Sequence, residues 1–292
     1  MTKKMQTSSN SSLGKVYLVG AGPGAADLIT VRGAKLLAKA DIVFHDALVE
    51  PEMLALCPQA QLVAVGKRCG KLSSAQQFIN KRLVDAAQKY QVVVRLKGGD
   101  PMLFGRADEE IQALKDAGIS VEVVPGITAA LAGAASIQQS LTLRGISRSV
   151  AFITLAQATE GTDHLTSNQP ISNPTADTLV YYMGRKDAAK IAQQLIAQIR
   201  TEGIHNQNTP VQILEAVSTP RERLWASTLQ ELAEGKADDW FDSNSPALIM
   251  VGEALKDKSA QVEKTAELER SSPKVDNGLQ DSQILPNSRR SA

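Results

Sequence analysis

The 292-residue chain has few cysteines and histidines and no long apolar run. Its two cysteines, Cys57 and Cys69, form no Cys-x-x-Cys pair, and its 3 histidines are scattered. This spacing predicts no zinc site and fits a reducing, cytoplasmic setting. No apolar run reaches the roughly 20 residues that cross a bilayer, so no membrane partner is expected. Aromatic residues make up only 4% of the chain, so the core must consist of Leu, Val, Ile and Ala.

The chain also lacks an excess of either charge. It has 32 Lys and Arg against 31 Asp and Glu, for a formal net charge of +1. This balance argues against a nucleic-acid partner bound through bulk charge, because such proteins are usually strongly basic. Any anionic ligand must therefore be bound by a local group of cations.

Short apolar runs alternate with segments of helical periodicity, including a predicted helix at residues 26–40. This alternation predicts a mostly parallel sheet with helices on both faces. We expect two α/β domains, at residues 14–136 and 150–255, joined by a linker at 137–149. The second should have more mixed or antiparallel pairing. Residues 1–13 and 256–292 are polar and are predicted to be a disordered lead and tail.

Residues 93–106 are the most informative segment. A buried strand ends on Gly98, Gly99 and Asp100, and Arg106 follows just before an acidic helix start. Glycines at a strand end let a ligand approach the backbone, and ligands of α/β sheets collect beyond the carboxyl ends of strands. The segment therefore predicts a ligand site.

A second glycine loop follows the first predicted strand, at residues 20–24 (Gly-Ala-Gly-Pro-Gly). With Ala25 and Asp41 it fits a loose dinucleotide pattern, so a nicotinamide oxidoreductase is one alternative. Pro23 argues against it, because a proline removes a backbone N–H that could bind a pyrophosphate.

Taken together, several motifs resemble those of the tetrapyrrole methylases, S-adenosylmethionine-dependent enzymes of the class III type with two α/β domains and an active site in the cleft between them. The motifs that carry the resemblance are residues 20–24, 27–30, 95–106, 124–130, 182–184 and 246–253. Residues 44–49, 66–68 and 95–106 most resemble the members that C-methylate uroporphyrinogen III at two pyrrole carbons, giving precorrin-2 for sirohaem or cobalamin synthesis. The resemblance also implies a homodimer.

The resemblance implies a backbone-lined slot for S-adenosylmethionine. Its residues would be Pro23, Gly98, Gly99, Asp100, Leu103, Thr128, Ala129 and Met183. Asp100 would balance the positive charge of the donor, and Thr128 would hydrogen-bond its polar groups. Two alternatives stay open: Thr128 as a helix N-cap, and Met183 as a core residue.

The resemblance also implies a set of catalytic residues and no metal. These are Asp46, Lys67, Arg106, Glu109 and Arg144. The arginines would bind substrate carboxylates, with Lys67 and Arg68 nearby, because guanidinium groups offer paired donors. Asp46 would accept a proton and Lys67 would donate one. The alternatives are a loop cap for Asp46, a solvated turn residue for Lys67, and an ordinary surface ion pair for Arg106 with Glu109.

Some positions depart from the pattern of the family. Leu143 and Ala156 stand where histidines are common, and Val217 stands where glycine is usual, in a loop expected to border the donor. These departures leave two alternatives: a methylase acting on a later corrin precursor, and a homologue that binds donor or tetrapyrrole with weakened catalysis.

Overall fold

A computed structural model describes residues 13–65, 72–155, 174–198 and 204–256 of the chain. These residues form two five-stranded sheets with helices packed on them, which confirms the predicted α/β class. Nearly all of the predicted lead and tail lies outside the described residues. The domain boundaries expected from the sequence stay a prediction.

The first sheet, predicted to be mostly parallel, is entirely parallel. Its strands are β1 (Lys15–Gly20), β2 (Ile42–His45), β3 (Gln61–Ala64), β4 (Val92–Lys97) and β5 (Val121–Val124). They lie in the order β3-β2-β4-β1-β5. The chain thus leaves β1 in one direction, toward β2, and leaves β4 in the other, toward β5. Such a reversal opens a crevice beyond the carboxyl ends of β1 and β4.

Helices cover both faces of this sheet, because successive side chains of a strand point to opposite sides. They are α1 (Val31–Leu37), α2 (Pro51–Leu54), α3 (Leu72–Ala87) and α4 (Ala107–Asp116). Leu18 of β1 belongs to one buried apolar cluster with Leu83 of α3. Its neighbour Val19 belongs to another, with Leu37 of α1.

The predicted helix at residues 26–40 is wrong at its start. Ala26–Leu28 form a single 3-10 turn, and α1 begins only at Val31. Thr30 sets this start: its backbone is extended, and its side-chain oxygen accepts a hydrogen bond from the Gly33 N–H at 3.1 Å. A threonine cap thus outweighs helical spacing that continues on its N-terminal side.

The second sheet is mixed, as predicted. Its strands are β6 (Val150–Thr154), β7 (Thr178–Tyr182), β8 (Pro210–Glu215), β9 (Arg223–Thr228) and β10 (Ala247–Val251). They lie in the order β6-β7-β10-β8-β9, and only β6 and β7 pair in parallel. The last strand within the described residues, β10, therefore lies in the centre of the sheet.

One helix links the two sheets. Helices α6 (Ala188–Gln198) and α7 (Leu229–Ala233) cover one face of the second sheet. The other face packs against α5 (Ala129–Ser136), which follows the last strand of the first sheet. A Cβ added at Gly133 of α5 would lie 3.3 Å from Leu248 Cδ2, so this helix lies close against the sheet. The loop before α5 therefore runs from one sheet to the other.

Candidate functional site

Both glycine loops lie at the carboxyl edge of the first sheet, at its topological switch point, and are bonded to each other. The Gly99 N–H donates to the Gly22 carbonyl at 2.7 Å, and the Gly22 N–H donates back to the Gly99 carbonyl at 3.2 Å. The two motifs singled out in the sequence therefore form one structure, at the edge where ligands of α/β sheets bind.

A third loop, after β5, packs against these two through glycines. A Cβ added at Gly126 would lie 2.3 Å from the Gly99 oxygen, and one added at Gly20 would lie 2.6 Å from the Gly126 Cα. These two glycines are needed because backbone touches backbone. Gly99 differs: its φ is +69°, and nothing lies within 4 Å of a Cβ added there. Its α-carbon thus faces open space.

Asp100 fastens the same loops. One carboxylate oxygen accepts a hydrogen bond from the Gly126 N–H at 2.8 Å, and the other accepts one from the Met102 N–H at 2.8 Å. Asp100 therefore has a structural role at the position that the sequence assigns to donor binding.

Asp46 lies beside Gly98, the first glycine of the loop that follows β4. It follows β2, and its Oδ1 would lie 4.0 Å from a Cβ added at Gly98. Its Oδ2 lies 3.7 Å from a guanidinium nitrogen of Arg95, and its side chain is 27% exposed. The loop-cap alternative has only a long bond, from the Leu48 N–H to Oδ1 at 3.4 Å.

Arg106 and Glu109 form a two-bond ion pair, with Nε to Oε1 at 2.7 Å and Nη2 to Oε2 at 2.8 Å. Their side chains are 42% and 48% exposed. Arg106 precedes α4 with a left-handed backbone, φ 55°, and its side chain does not cap the helix. Glu109 thus orients the guanidinium of Arg106 at the rim of the site. Both side chains are as exposed as those of an ordinary surface ion pair.

Of the other predicted cations, only Arg144 lies within the described residues. Lys67 and Arg68 lie outside the described residues. Arg144 is exposed in a turn closed by the bridge between Leu143 and Ser147. No hydrogen bond or ion pair in the described ranges joins Arg144 to the loops of the first sheet.

A loop of the second sheet lies over the first glycine loop. Ser218 Oγ accepts a hydrogen bond from the Ala25 N–H at 3.1 Å. A Cβ added at Gly24 would lie 2.8 Å from the carbonyl oxygen of Val217. Arg221 forms a 2.9 Å ion pair with Glu50. The carboxyl edge of the first sheet is therefore bounded by the loop that follows β8.

The side chain of Val217 does not line this boundary. It is 4% exposed and packs in the apolar cluster under α5. The left-handed backbone needed for the loop occurs instead at its neighbours Ala216 and Ser218, with φ of 49° and 60°. Valine in place of the usual glycine therefore adds its side chain to this cluster and not to the boundary of the site.

Tyr182, which ends β7, belongs to the motif at residues 182–184 but was not among the predicted site residues. Its hydroxyl lies 2.6 Å from Thr128 Oγ1 and accepts a hydrogen bond from the Ala130 N–H at 3.1 Å. Its ring lies 5.2 Å from that of Phe104 and 6.1 Å from that of Phe152. Burial raises the pKa of Tyr182, although these hydrogen bonds oppose the shift.

The structure decides between the alternatives for Thr128 and Met183. Thr128 occupies the N-cap position of α5, but its side chain makes no capping bond, since the Tyr182 hydroxyl takes that role. Met183 is 56% exposed with φ 57°, so it is not a core residue. Pro23, Leu103 and Ala129 lie half-buried on the same loops.

Backbone strain marks the site independently. Among the described residues, six other than glycine have a positive φ, and five lie on the loops described above. They are Phe104, Arg106, Met183, Ala216 and Ser218. Such strain is concentrated at binding sites of proteins, where the surrounding structure maintains it. Sequence offers no signal for it, because none of these residue types favours the left-handed region.

Within the described ranges, no group of three or more His, Cys, Asp or Glu side chains could hold a metal ion. The helices found there are also too short or too polar to cross a membrane. The chain is thus an α/β protein whose candidate ligand site lies between glycine loops of a parallel sheet and loops of a mixed sheet. Comparison with known proteins identifies the family within this fold class.

The family described as Tetrapyrrole (Corrin/Porphyrin) Methylases matches residues 15–233. The chain belongs to this family. It is 40% identical over 252 residues to a uroporphyrinogen-III C-methyltransferase of Pseudomonas aeruginosa, covering 85% of this chain and 97% of that protein. It is 43% identical over 247 residues to a siroheme synthase of Zymomonas mobilis, covering 84% of this chain but 50% of that protein. The chain thus spans about half the length of the siroheme synthases it matches.

Solved structures agree with these relatives. A uroporphyrin-III C-methyl transferase of Thermus thermophilus, complexed with S-adenyl homocysteine, is 36% identical with a TM-score of 0.69. The match covers 87% of this chain and 100% of that one. A cobalt precorrin-4 methyltransferase is 27% identical with a TM-score of 0.65, over 83% of this chain and 96% of that one.

Proposed function

We propose that this chain is a uroporphyrinogen-III C-methyltransferase that transfers methyl groups from S-adenosylmethionine to two pyrrole carbons, giving precorrin-2 for sirohaem or cobalamin synthesis. The observation that carries the proposal is the joined pair of glycine loops at the switch point of the first sheet. Support comes from the 40% identity over nearly the whole length of a relative with this name. It comes also from the likeness to a structure complexed with S-adenyl homocysteine.

The residues at this edge fit a methyl donor. Gly99 presents open space where a side chain would stand, and Met183, which follows β7, is exposed. Pro23, Gly98, Asp100, Leu103, Thr128 and Ala129 would complete the slot. The donor, when bound, supplies a methyl group already activated on sulfonium. The task of the protein is then mainly to hold donor and acceptor in line.

The tetrapyrrole substrate is rich in carboxylates, and Arg106 is the described cation best placed to bind one. Its guanidinium is already oriented by Glu109, which lowers the ordering cost of a paired contact. Arg144 and Lys67 would contribute further cations. Asp46 would accept the ring proton and Lys67 would donate one, in line with general acid–base catalysis.

We propose a homodimer in a cytoplasmic setting. Support for the dimer is an exposed groove of about 490 Å³ beside β6, an edge strand of the second sheet. Leu131 and Phe152, which line it, are 55% and 38% exposed. Exposed apolar surface of this kind is typical of protein contacts, and two-fold dimers are the commonest oligomers.

Purified protein incubated with uroporphyrinogen III and S-adenosylmethionine labelled in its methyl group tests the function. We expect two labelled methyl groups per tetrapyrrole. Label transferred only to a later corrin precursor would instead identify the chain as a methylase of that precursor. Donor binding in calorimetry without transfer to any tetrapyrrole would indicate a homologue that binds without turnover and would overturn the proposal.

A further inference from the structure

Below the site, the first sheet contains a buried group of charges. Arg95 and Lys97 lie two residues apart on β4 and so point to the same face. Glu110 of α4 lies between them, with Nε of Arg95 at 3.1 Å and Nζ of Lys97 at 3.0 Å. The side chains of Arg95, Lys97 and Glu110 are 5%, 6% and 0% exposed.

The guanidinium of Arg95 is held on several sides. Besides Glu110, it donates through Nη1 to the Leu96 carbonyl at 3.0 Å and to the Phe44 carbonyl at 3.4 Å. Its Nη2 reaches out of the cluster, to 3.7 Å from Asp46 Oδ2. Asp46 is the member of the group that solvent and ligands can reach, since 27% of its side chain is exposed.

Stability alone gives a weak reason for such an arrangement. Removing charges from water costs several kcal/mol each, roughly, and apolar residues of similar size often stabilise a protein as well or better. A buried cation with a fixed orientation does, however, define where a neighbouring carboxylate rests. The arrangement in this chain runs from α4 through β4 to the loop after β2.

We propose that Arg95 is a positioning residue that holds the Asp46 carboxylate at the end of β2, and that Glu110 in turn fixes Arg95. The inference rests on the proposed function, in which Asp46 accepts a proton. It assigns no substrate contact to Arg95. Its effect is expected on the chemical step and not on donor binding.

The rest of the cluster keeps the charges balanced. The described charged groups that face Arg95 are Glu110 from α4, Lys97 from β4 and Asp46 from the loop after β2. Gln76 of α3 adds a neutral donor, at 3.3 Å from Glu110 Oε1. Burial lowers the pKa of Lys97, against the attraction of Glu110. Among the described residues, two cations and two carboxylates of this cluster thus balance each other in charge.

A double-mutant cycle on kcat tests the inference, with Arg95→Gln, Asp46→Asn and their combination. Arg95→Gln should lower kcat about tenfold or more in the native background, but less than about threefold when Asp46 is already Asn, since interacting residues are not additive. The Kd of S-adenosylhomocysteine should stay within about twofold in all variants. Equal losses of kcat in both backgrounds would overturn the inference.

Two further variants separate positioning from folding. Arg95→Lys keeps a buried cation for Glu110, but a single ammonium cannot also reach Asp46 as the fork of Arg does, so the same loss of kcat is expected in a stable protein. Gln76→Met removes a bond of the cluster that does not touch Asp46, and its effect should add to that of Asp46→Asn. Full activity of Arg95→Lys would contradict the inference. An inactive wild-type protein would instead refute the proposed function, and with it this role.

Discussion

The hydroxyl of Tyr182 lies 2.6 Å from Thr128 Oγ1, so a residue of the second sheet reaches the loop that leaves the first. The same hydroxyl accepts the N–H of Ala130 at the start of α5. Helix N-termini carry unpaired N–H groups, and here the cap comes from a distant strand instead of a local side chain. The phenol group of Tyr182 is therefore one of the links that set the relative position of the two sets of loops, beside the bond from Ala25 to Ser218.

Replacing Tyr182 by Phe should remove this link while keeping the ring contacts. We expect a loss of about 1 kcal/mol in the free energy of unfolding, the usual cost of a lost cap or hydrogen bond. The Kd for S-adenosylhomocysteine should rise several-fold, because Thr128 loses its partner. Urea unfolding and calorimetry measure these two effects.

Tyr90→Phe is the matched control, since its hydroxyl donates to Gln61 at 2.7 Å on an exposed edge of the first sheet. It should leave the Kd unchanged. A Tyr182→Phe protein with native stability and native affinity would show that the phenol group does not set the position of the loops.

Local sequence patterns predicted most of the fold, because the periodicity of apolar residues in a strand or helix can be seen within a few neighbouring residues. The first sheet has the alternation of strands and helices that the sequence predicts, and the break at Gly98 and Gly99 follows β4 as expected. The sequence failed at residues 26–30, where the helical spacing continues through a turn that the Thr30 cap excludes. Competition between a cap and a periodic pattern is hard to judge from one sequence.

The site was predictable only where motifs are contiguous. The bond between Tyr182 and Thr128 joins residues 54 apart in sequence, and that between Arg95 and Glu110 crosses from a strand to a helix. Spacing alone cannot pair such residues. The alternation of Arg95 and Lys97 within an apolar strand was a usable signal, since two cations on one buried face require an anionic partner.

The glycines of the site should differ in what they tolerate. Gly126→Ala places a Cβ 2.3 Å from the Gly99 oxygen, so backbone must move and stability should fall by several kcal/mol, at least about 2 kcal/mol. Gly99→Ala meets no atom within 4 Å and costs only the left-handed strain, about 1–2 kcal/mol. Denaturant unfolding of both variants gives the order.

Donor binding should be more sensitive to Gly99→Ala than the small loss of stability of this variant suggests. The methyl group of Gly99→Ala would enter the open space proposed for the donor, and we expect the Kd for S-adenosylhomocysteine to rise at least tenfold in a folded protein. Gly118→Ala is the control, because Gly118 has the same φ of +69° and open surroundings away from the site. Unchanged affinity in Gly99→Ala would remove this loop from the donor slot.

Arg106→Ala should weaken substrate use without weakening the fold. An exposed ion pair contributes about 0–1 kcal/mol, so the free energy of unfolding should change little. The KM for uroporphyrinogen III should rise about tenfold or more, since a paired guanidinium contact to a carboxylate is lost. Steady-state kinetics at several salt concentrations provides the measurement.

Lys236→Ala serves as its control, because Lys236 forms exposed ion pairs with Glu231 and Glu234 next to α7. It should change neither KM nor its salt dependence. If both variants behave alike, the pair of Arg106 and Glu109 is an ordinary surface feature and the substrate is bound elsewhere.

Val217→Gly restores the residue expected from the family pattern, and it should not help the enzyme. The valine side chain is buried in the cluster under α5, so its removal should cost about 1–3 kcal/mol in stability. The Kd for S-adenosylhomocysteine should stay unchanged within about twofold. A clear gain in affinity on calorimetry would mean that the valine does narrow the slot.

Stability should fall in mild acid because of His205. This side chain is 7% exposed, and its Nε2–H donates to the Ala176 carbonyl at 2.9 Å. Burial lowers the pKa of His205 below its ordinary value of 6.5, against the hydrogen bond and the attraction of Asp177 and Glu253. The native state therefore favours the neutral imidazole.

The direction of this pH dependence follows from the number of protons that the native and unfolded states bind. Above pH 6.5 the side chain is neutral in both states, and its burial costs nothing extra. As the pH falls through 6.5, the unfolded chain binds a proton before the native state does, so the free energy of unfolding decreases until the lower native pKa is reached. His205→Gln keeps an N–H for Ala176 but cannot titrate. The stability of wild type minus that of this variant, measured by urea unfolding from about pH 7.5 to 5, should decline with acidity. A difference that stays constant over this range would show that His205 is free to take up its proton in the folded protein.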